Sequence, residues 1–223
     1  MEPVKKPGGF FITFEGPEGG GKSTQIHRLA ATLADQGYTV WTTREPGGTR
    51  VGEMIRPILL GRQQAPITAW SEALLFTAAR AQHVEEVIRP RLQRGELVLC
   101  DRYIDSTLAY QGYGRGLDLD TLRRLQREAT GGLQPNLTVL LNLPIEAGLA
   151  RIPRIAQDRL DQETEAFHHR VLAGYQQLAA AEPGRWREVD ASADADHVAD
   201  RILEAVSTAL DSAGVRPAQR RSA

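Results

Sequence analysis

Residues Gly16-Pro17-Glu18-Gly19-Gly20-Gly21-Lys22-Ser23 fit the pattern G-x-x-x-x-G-K-[ST]. They stand between an apolar run, Phe10-Phe11-Ile12-Thr13-Phe14, and a segment where Ile26, Leu29, Ala30 and Leu33 recur at helical spacing. Buried strand, glycine-rich turn and helix are the setting in which this pattern has a mechanism. The glycines let backbone N–H groups turn inward around phosphate oxygens, and the helix N-terminus adds partial positive charge. Lys22 is placed to reach the outer phosphates, Ser23 to ligate Mg²⁺, and Thr24 continues the loop into the helix.

A chain of 223 residues with 41% hydrophobic and 25% charged residues is long enough for one α/β domain with a sizeable core. Its net charge of −1 supplies no basic field that would point to nucleic acid as a partner. The single cysteine, Cys100, excludes an intrachain disulfide and fits a reducing, cytoplasmic setting. No stretch is long and apolar enough to suggest a membrane span. Residues 1–9 read as a flexible extension and 213–223 as a flexible, arginine-bearing tail, with one domain over 10–212.

Strand and helix signals alternate along that domain. The first helix should end near Gln36, with Gly37 as its stop, and Tyr38 to Thr43 should be the second strand. That strand empties into Arg44-Glu45-Pro46-Gly47-Gly48-Thr49, at the carboxyl end where open α/β sheets bind ligands. Val51, Met54, Ile55, Ile58 and Leu59 mark a short amphipathic helix. Thr68 to Arg94 reads as a long helix loosened at Pro90, its apolar face supplied by Leu74, Leu75, Ala78, Val84, Val87, Ile88 and Leu92. Phe76 and Arg80 share another face, and periodicity alone reads them as a peripheral aromatic and a solvated arginine.

Leu97-Val98-Leu99-Cys100 is a third strand ending in Asp101-Arg102-Tyr103. A carboxylate at that tip suits Mg²⁺ or its bound water, and Arg102 suits phosphate. Ser106 to Gln111 reads as one or two helical turns, 112–116 as a loop, and Leu119 to Thr130 as a helix stopped by Gly131-Gly132. Leu137 to Leu143 is a fourth strand, followed by a helix with Pro144 in its first position and ending near Arg151. The stretch of about 151–162 is charged and aperiodic, and reads as a mobile lid or a solvated loop. A helix over about Glu163 to Ala181, a fifth strand over Arg185 to Val189 and a last helix over about Ala195 to Leu210 complete the chain. The expected fold is a three-layer α/β domain, a five-stranded parallel sheet with helices on both faces. The histidines have no metal-ligand spacing in sequence and read, like Cys100, as packing or surface residues.

The loop implies a nucleoside triphosphate but not a reaction. A guanine-specific switch should carry N-K-x-D, which neither Asn136 nor Asn142 begins. Instead Arg44, Arg80, Arg102, Arg151 and Arg154 fall where strand ends and helix starts converge. Many arginines around one phosphate site suit a donor and an acceptor that are both anionic, which favours a phosphotransferase over an NTP-driven switch.

From about Phe10 to Leu210 the chain resembles the bacterial thymidylate kinases, P-loop nucleoside monophosphate kinases. The parts that carry the likeness are F-E-G-P-E-G-G-G-K-S (14–23), T-R-E-P-G-G-T (43–49), L-L-F-T-A-A-R (74–80), D-R-Y (101–103), S-T-L-A-Y-Q-G (106–112) and D-R-L-D (158–161). The resemblance implies a P-loop NTPase fold, transfer from ATP to dTMP with Mg²⁺, and a homodimer. It implies that Glu18 approaches the sugar 3′-hydroxyl, and that Arg44 and Arg102 hold the acceptor phosphate. Phe76 would stack on thymine and Arg80 hydrogen-bond a base oxygen. Thr107 and Gln111 would read the base edge, and Tyr110 would sit against the sugar. Ser23 and Asp101 would serve Mg²⁺, and Arg151 and Arg154 would close over the transferring phosphoryl group. Where the family ends its lid motif in glutamate, this chain has Asp161. The acceptor phosphate is ionised at neutral pH, so no general base is expected.

Overall fold

The computed structural model describes residues 8–62, 66–153, 155 and 157–217. Most of the expected N-terminal extension and C-terminal tail, at 1–7 and 218–223, therefore lies outside the described residues. Strands β1 (Phe10–Glu15), β2 (Val40–Arg44), β3 (Leu97–Asp101), β4 (Leu137–Asn142) and β5 (Trp186–Asp190) form one parallel sheet in the order β2-β3-β1-β4-β5. In register, Asp101 of β3 stands beside Phe14 of β1 and Arg44 of β2, so the charged strand ends meet along one edge.

The two-residue period of β1 divides the core. Phe10, Ile12 and Phe14 face helices α1 (Lys22–Asp35) and α9 (Ala195–Ser212), meeting Ile26, Leu29, Leu33, Val198, Ile202 and Val206. The other face carries Phe11, Thr13 and Glu15. Phe11 packs on Val84 and Ile88, which lie in a π-helical stretch, Val84–Ile88, joining α3 (Ala69–His83) to α4 (Arg89–Gln93). Further along that face pack α5 (Ile104–Thr107), α6 (Leu119–Thr130) and α8 (Glu165–Ala181). The remaining helices are α2 (Arg50–Leu60) and α7 (Ile145–Ala150). The expected three-layer arrangement is what the chain forms. No helix among the described residues is long and apolar enough to cross a membrane.

Several local expectations need correction. Much of the apolar stripe read on α2 and the first half of α3 faces outward: Met54 is 66% exposed, Leu74 is 52% exposed, and Ala78 is exposed, while Leu59 at the end of α2 is buried. Glu72, Thr77, Arg80 and His83 are buried in their place. Ala73 joins the apolar core, but the buried polar residues of this half of α3 are paired within the protein, Arg80 and His83 with Glu45, Thr77 with Gln126 and Glu72 with Gln111, so hydrogen bonding and not apolar burial sets the inner face. The turn expected at Gln111 is not a stop. Helix α5 continues as a π-helical stretch, Leu108–Gly114, closed by Arg115 N–H to Tyr110 O at 2.9 Å. Gly114 suits this packing, since a Cβ there would lie 2.6 Å from the Phe167 ring. Pro144 caps α7 from outside instead of occupying its first turn.

Candidate active site

Among helices longer than ten residues, α1 alone has no side-chain cap; α2, α3, α6, α8 and α9 are capped by Thr49, Thr68, Asp118, Thr164 and Asp194. Its N-terminal N–H groups are thus left for a ligand, as the glycine loop anticipates. Gly19, at φ 70°, lies so close to Gly148 that a Cβ would meet its carbonyl oxygen at 2.0 Å. Lys22 is buried, and its ammonium donates to Gly16 O at 3.1 Å and Pro17 O at 2.8 Å. Burial lowers its pKa first, and the neighbouring Arg102 adds to that.

A cavity of about 360 Å³ opens beside the loop. Its lining brings together Glu18 to Thr24 of the loop, Arg44, Asp101 and Arg102 of the strand ends, and Phe76, Tyr110 and Gln111 of the helices. Ser23 Oγ donates to Asp101 Oδ2 at 2.7 Å, which joins the helix start to the tip of β3. Arg44 holds Glu53 through Nη2 at 3.1 and 3.3 Å.

Arg102 is the hub. It is the only non-glycine residue at positive φ among the described residues, at 70°. Such a backbone costs about 1–3 kcal/mol and must be held by its surroundings. Arg102 N–H donates to Phe14 O at 3.0 Å, and Tyr103 N–H to Glu15 Oε1 at 2.8 Å. The guanidinium pairs with Glu18 and donates from Nη2 to Tyr110 OH at 3.1 Å. From Nη1 it donates to Tyr175 OH at 3.0 Å and Ser106 Oγ at 3.3 Å. Burial alone would lower its pKa, but Glu18, Tyr110, Tyr175 and Asp101 outweigh that and hold it charged. Burial likewise pushes Glu18 up, and Arg102 and Lys22 more than reverse it, so Glu18 stays ionised.

Behind Arg102 lies Glu15, fully buried. Its Oε2 accepts from Ser106 Oγ at 2.6 Å and Tyr175 OH at 2.8 Å. Each hydroxyl gives its one hydrogen to Glu15 and turns a lone pair to Arg102. Burial, then the nearby Asp105, pushes the Glu15 carboxyl up to about 7. The strand pattern points to this residue, a lone acid closing an apolar run immediately before the loop.

Not every expected residue lines the cavity. Arg80, 1% exposed, stands behind the wall. It donates to Glu45 Oε2 (2.6 Å), Thr107 Oγ1 (2.8 Å), Gln126 Oε1 (2.6 Å) and Tyr103 O (2.9 Å). Four of its five N–H groups are so occupied, and Thr107 is buried with it. Arg80 is therefore neither solvated nor directly exposed to a ligand. Gly16 and Pro17 lie beneath the loop, facing Lys22 through their carbonyls. Arg151 stands on the loop's far side, donating to Ala191 O at 3.3 Å and Gly19 O at 3.5 Å. It borders a second hollow of about 310 Å³ lined by Gly20, Gly21, Thr24 and Asp194. Arg154 lies outside the described residues.

Sequence reasoning missed Arg56, whose burial partners Gly52 and Leu59 mark the inner face of α2 and so locate it. It also missed the wall formed by Asp158 and Leu160. The second half of the 151–162 stretch is tied down: Arg159 donates to Leu59 O at 2.8 Å and pairs with buried Glu72. Asp161 Oδ1 is buried without a partner among the described residues. Burial first, then Glu18 and Asp158, pushes the Asp161 carboxyl up to about 6. His83, not a surface residue, bridges Glu45 Oε1 at 3.0 Å and Thr43 Oγ1 at 2.7 Å. With Cys100 these place one ligand atom each within 4.8 Å of one another. Glu45 is already shared by Arg80 and His83, and burial holds the Cys100 thiol well above its ordinary range, so the group reads as polar packing.

A family model described as thymidylate kinase matches residues 14–202. A thymidylate kinase of Thermomicrobium roseum is 57% identical over 90% of this chain and 96% of its own length. One of Deinococcus radiodurans is 52% identical over 89% of this chain and 97% of its own. The crystal structure of thymidylate kinase from Ehrlichia chaffeensis superposes with a TM-score of 0.73, at 32% identity, covering 90% of this chain and 99% of that one.

Proposed function

The chain belongs to the thymidylate kinase family, and from that premise we propose that it transfers the γ-phosphoryl group of ATP to dTMP, forming dTDP. The observation that carries this is one cavity lined both by the uncapped helix start with Lys22 and by Phe76 and Gln111, with Arg102 bonded to Glu18 of the loop and to Tyr110. That lining supports an acceptor nucleotide with its base on Phe76 and its phosphate at Arg102 and Arg44.

Phosphoryl transfer asks a protein for alignment and charge neutralisation more than for covalent chemistry. Glycine-loop N–H groups and Lys22 hold the donor phosphates, and Arg102 and Arg44 draw in the acceptor phosphate, the nucleophile. Glu18 and Tyr110 bound the sugar. Gln111 forms the base edge, with Thr107 and Arg80 paired behind it. Ser23 and Asp101 offer hard oxygen donors 2.7 Å apart at the donor end, which fits Mg²⁺. Ser23 and Asp101 would hold the ion, which would supply charge neutralisation to the donor phosphates. The hollow beside Thr24 and Arg151 suits the ATP nucleoside, so Arg151 serves the donor side, and Arg154 is left as the lid cation for transfer.

The outward apolar face of α2 and α3, with Val51, Met54, Ile58, Trp70 and Leu74 all exposed, supports a homodimer formed through these helices.

The test is ADP formation with ATP, Mg²⁺ and each of dTMP, dUMP, dCMP, dAMP and dGMP. The expected order is dTMP, then dUMP about 10–200-fold lower in kcat/KM for one methyl group, then the rest. Preference for dCMP or a purine, or turnover independent of acceptor, overturns the reading.

A further inference from the structure

We propose that Glu72 is a specificity-determining positioning residue: it fixes which end of the Gln111 amide faces the base. This rests on the reading that Gln111 borders the acceptor base. Glu72 lies on α3, 1% exposed, and never reaches the cavity. Gln111 Nε2 donates to Glu72 Oε1 at 2.7 Å. The same carboxylate accepts from Arg115 at 3.2 Å (Nε) and 3.1 Å (Nη2), and pairs with Arg159.

The chemistry of the pair removes the usual ambiguity of an amide. Arg115 and Arg159 keep Glu72 ionised: burial raises its pKa, and the hydrogen bonds from Arg115, Gln111 and Arg159 together lower it below the ordinary value. An ionised carboxylate only accepts, so the amide must turn its NH₂ to Glu72. Gln111 itself lines the cavity and is 1% exposed, and its Oε1 has no partner among the described residues. The end of the amide left for a ligand is therefore an acceptor.

An acceptor at that position distinguishes pyrimidines. Thymine and uracil present a ring N–H donor at N3, whereas cytosine presents a lone pair. A buried acceptor facing another acceptor is rejected more strongly than a base that has merely lost a methyl group. Glu72 thus sets the choice of base without touching it. Because it also holds Arg159, the orientation of the amide and the seating of the 157–161 turn share one anchor.

The experiment measures kcat/KM for dTMP, dUMP and dCMP on the parent, Glu72→Gln, Glu72→Asp and Gln111→Leu. In Glu72→Gln the amide can turn over, so the dTMP:dCMP ratio should fall at least tenfold while the dTMP:dUMP ratio stays within about threefold. Glu72→Asp, still an acceptor only, should restore most of the dTMP:dCMP ratio. A general loss of structure would lower all three acceptors together, and that result overturns the proposal. Should Glu72→Gln not fold, the double variant with Arg159→Gln removes an unpaired guanidinium and carries the same readout. If Gln111→Leu lowers the dTMP:dCMP ratio but Glu72→Gln does not, the Glu72 proposal fails and the base-edge reading stands. If Gln111→Leu leaves that ratio unchanged, the base-edge reading fails and takes the proposal with it.

Discussion

Helices α1 and α3 pack on opposite faces of one sheet and place their polar residues in opposite ways. Helix α1 buries an apolar stripe, Ile26, Leu29 and Leu33, and keeps its chemistry at its open N-terminus. Helix α3 is capped by Thr68 at its N-terminus and carries its chemistry along its flank: Glu72, Thr77, Arg80 and His83 are buried while Trp70 and Leu74 are exposed. One helix binds through its end, which any ligand with phosphates can use. The other, on the proposed function, serves the base through Phe76 and the buried side chains behind it. On the proposed function, the phosphates meet backbone N–H groups together with Lys22, Arg102 and Arg44, whereas the base meets side chains alone.

The largest expected effects are at the phosphate end. Arg102→Ala should lower kcat/KM for dTMP by about 10³-fold or more, because it removes the charge at the acceptor phosphate and its link to Glu18. Lys22→Ala should be comparably inactive while remaining folded by circular dichroism. Near-normal ADP formation by either variant would separate the loop and strand tips from the reaction.

On the flank of α3 the effect should be smaller and confined to one substrate. Phe76→Ala removes one aromatic face, and stacking on a base is worth about 1–3 kcal/mol, so KM for dTMP should rise by roughly 5–150-fold. KM for ATP should not change. Equal weakening of both nucleotides would erase the distinction between the two helices.

The phosphate end was legible in the sequence because its motif is contiguous, and a glycine loop between a strand and a helix has few other physical meanings. The base end was legible only through resemblance. Periodicity put Leu74 inside and Arg80 in solvent, and the structure does the reverse. Periodicity measures distance from water, and on α3 the inner side carries buried, hydrogen-bonded polar residues while the outer side exposes Trp70 and Leu74. Glu15, Ser106 and Tyr175 escaped notice for another reason. Their meaning lies in a hydrogen-bonded cluster spanning 160 positions between Glu15 and Tyr175, of which only Glu15, the acid closing an apolar run, leaves a local trace.

That cluster should make the phosphate end sensitive to pH. The Glu15 carboxyl titrates near 7 in the folded protein against an ordinary 4.5, so its ionisation opposes folding. This contribution is fully favourable below about 4.5, is lost as pH rises to about 7, and stays lost above that. Activity should run the other way, since ionised Glu15 turns the Ser106 and Tyr175 hydroxyls to receive Arg102. kcat/KM for dTMP should rise through a limb near 7, and Glu15→Gln should flatten both that limb and the stability slope. Matched pH profiles of rate and urea midpoint for parent and variant measure this, and an unchanged profile in Glu15→Gln would remove Glu15 from the account.

The smallest expected effect on turnover per folded subunit is on the outer face of α3. Leu74→Asp with Met54→Asp should convert a dimer to a monomer in sedimentation velocity, with lower thermal stability, because both side chains are more than half exposed in the single chain. A parent that sediments as a monomer would leave that apolar face without its proposed role.

The most direct measurement is the structure of the protein with dTMP bound. The thymine ring should lie on Phe76, its N3–H donating to Gln111 Oε1, with the phosphate at Arg102 and Arg44. A ring stacked elsewhere, or a phosphate seated only in the glycine loop, would contradict the division between helix end and helix flank.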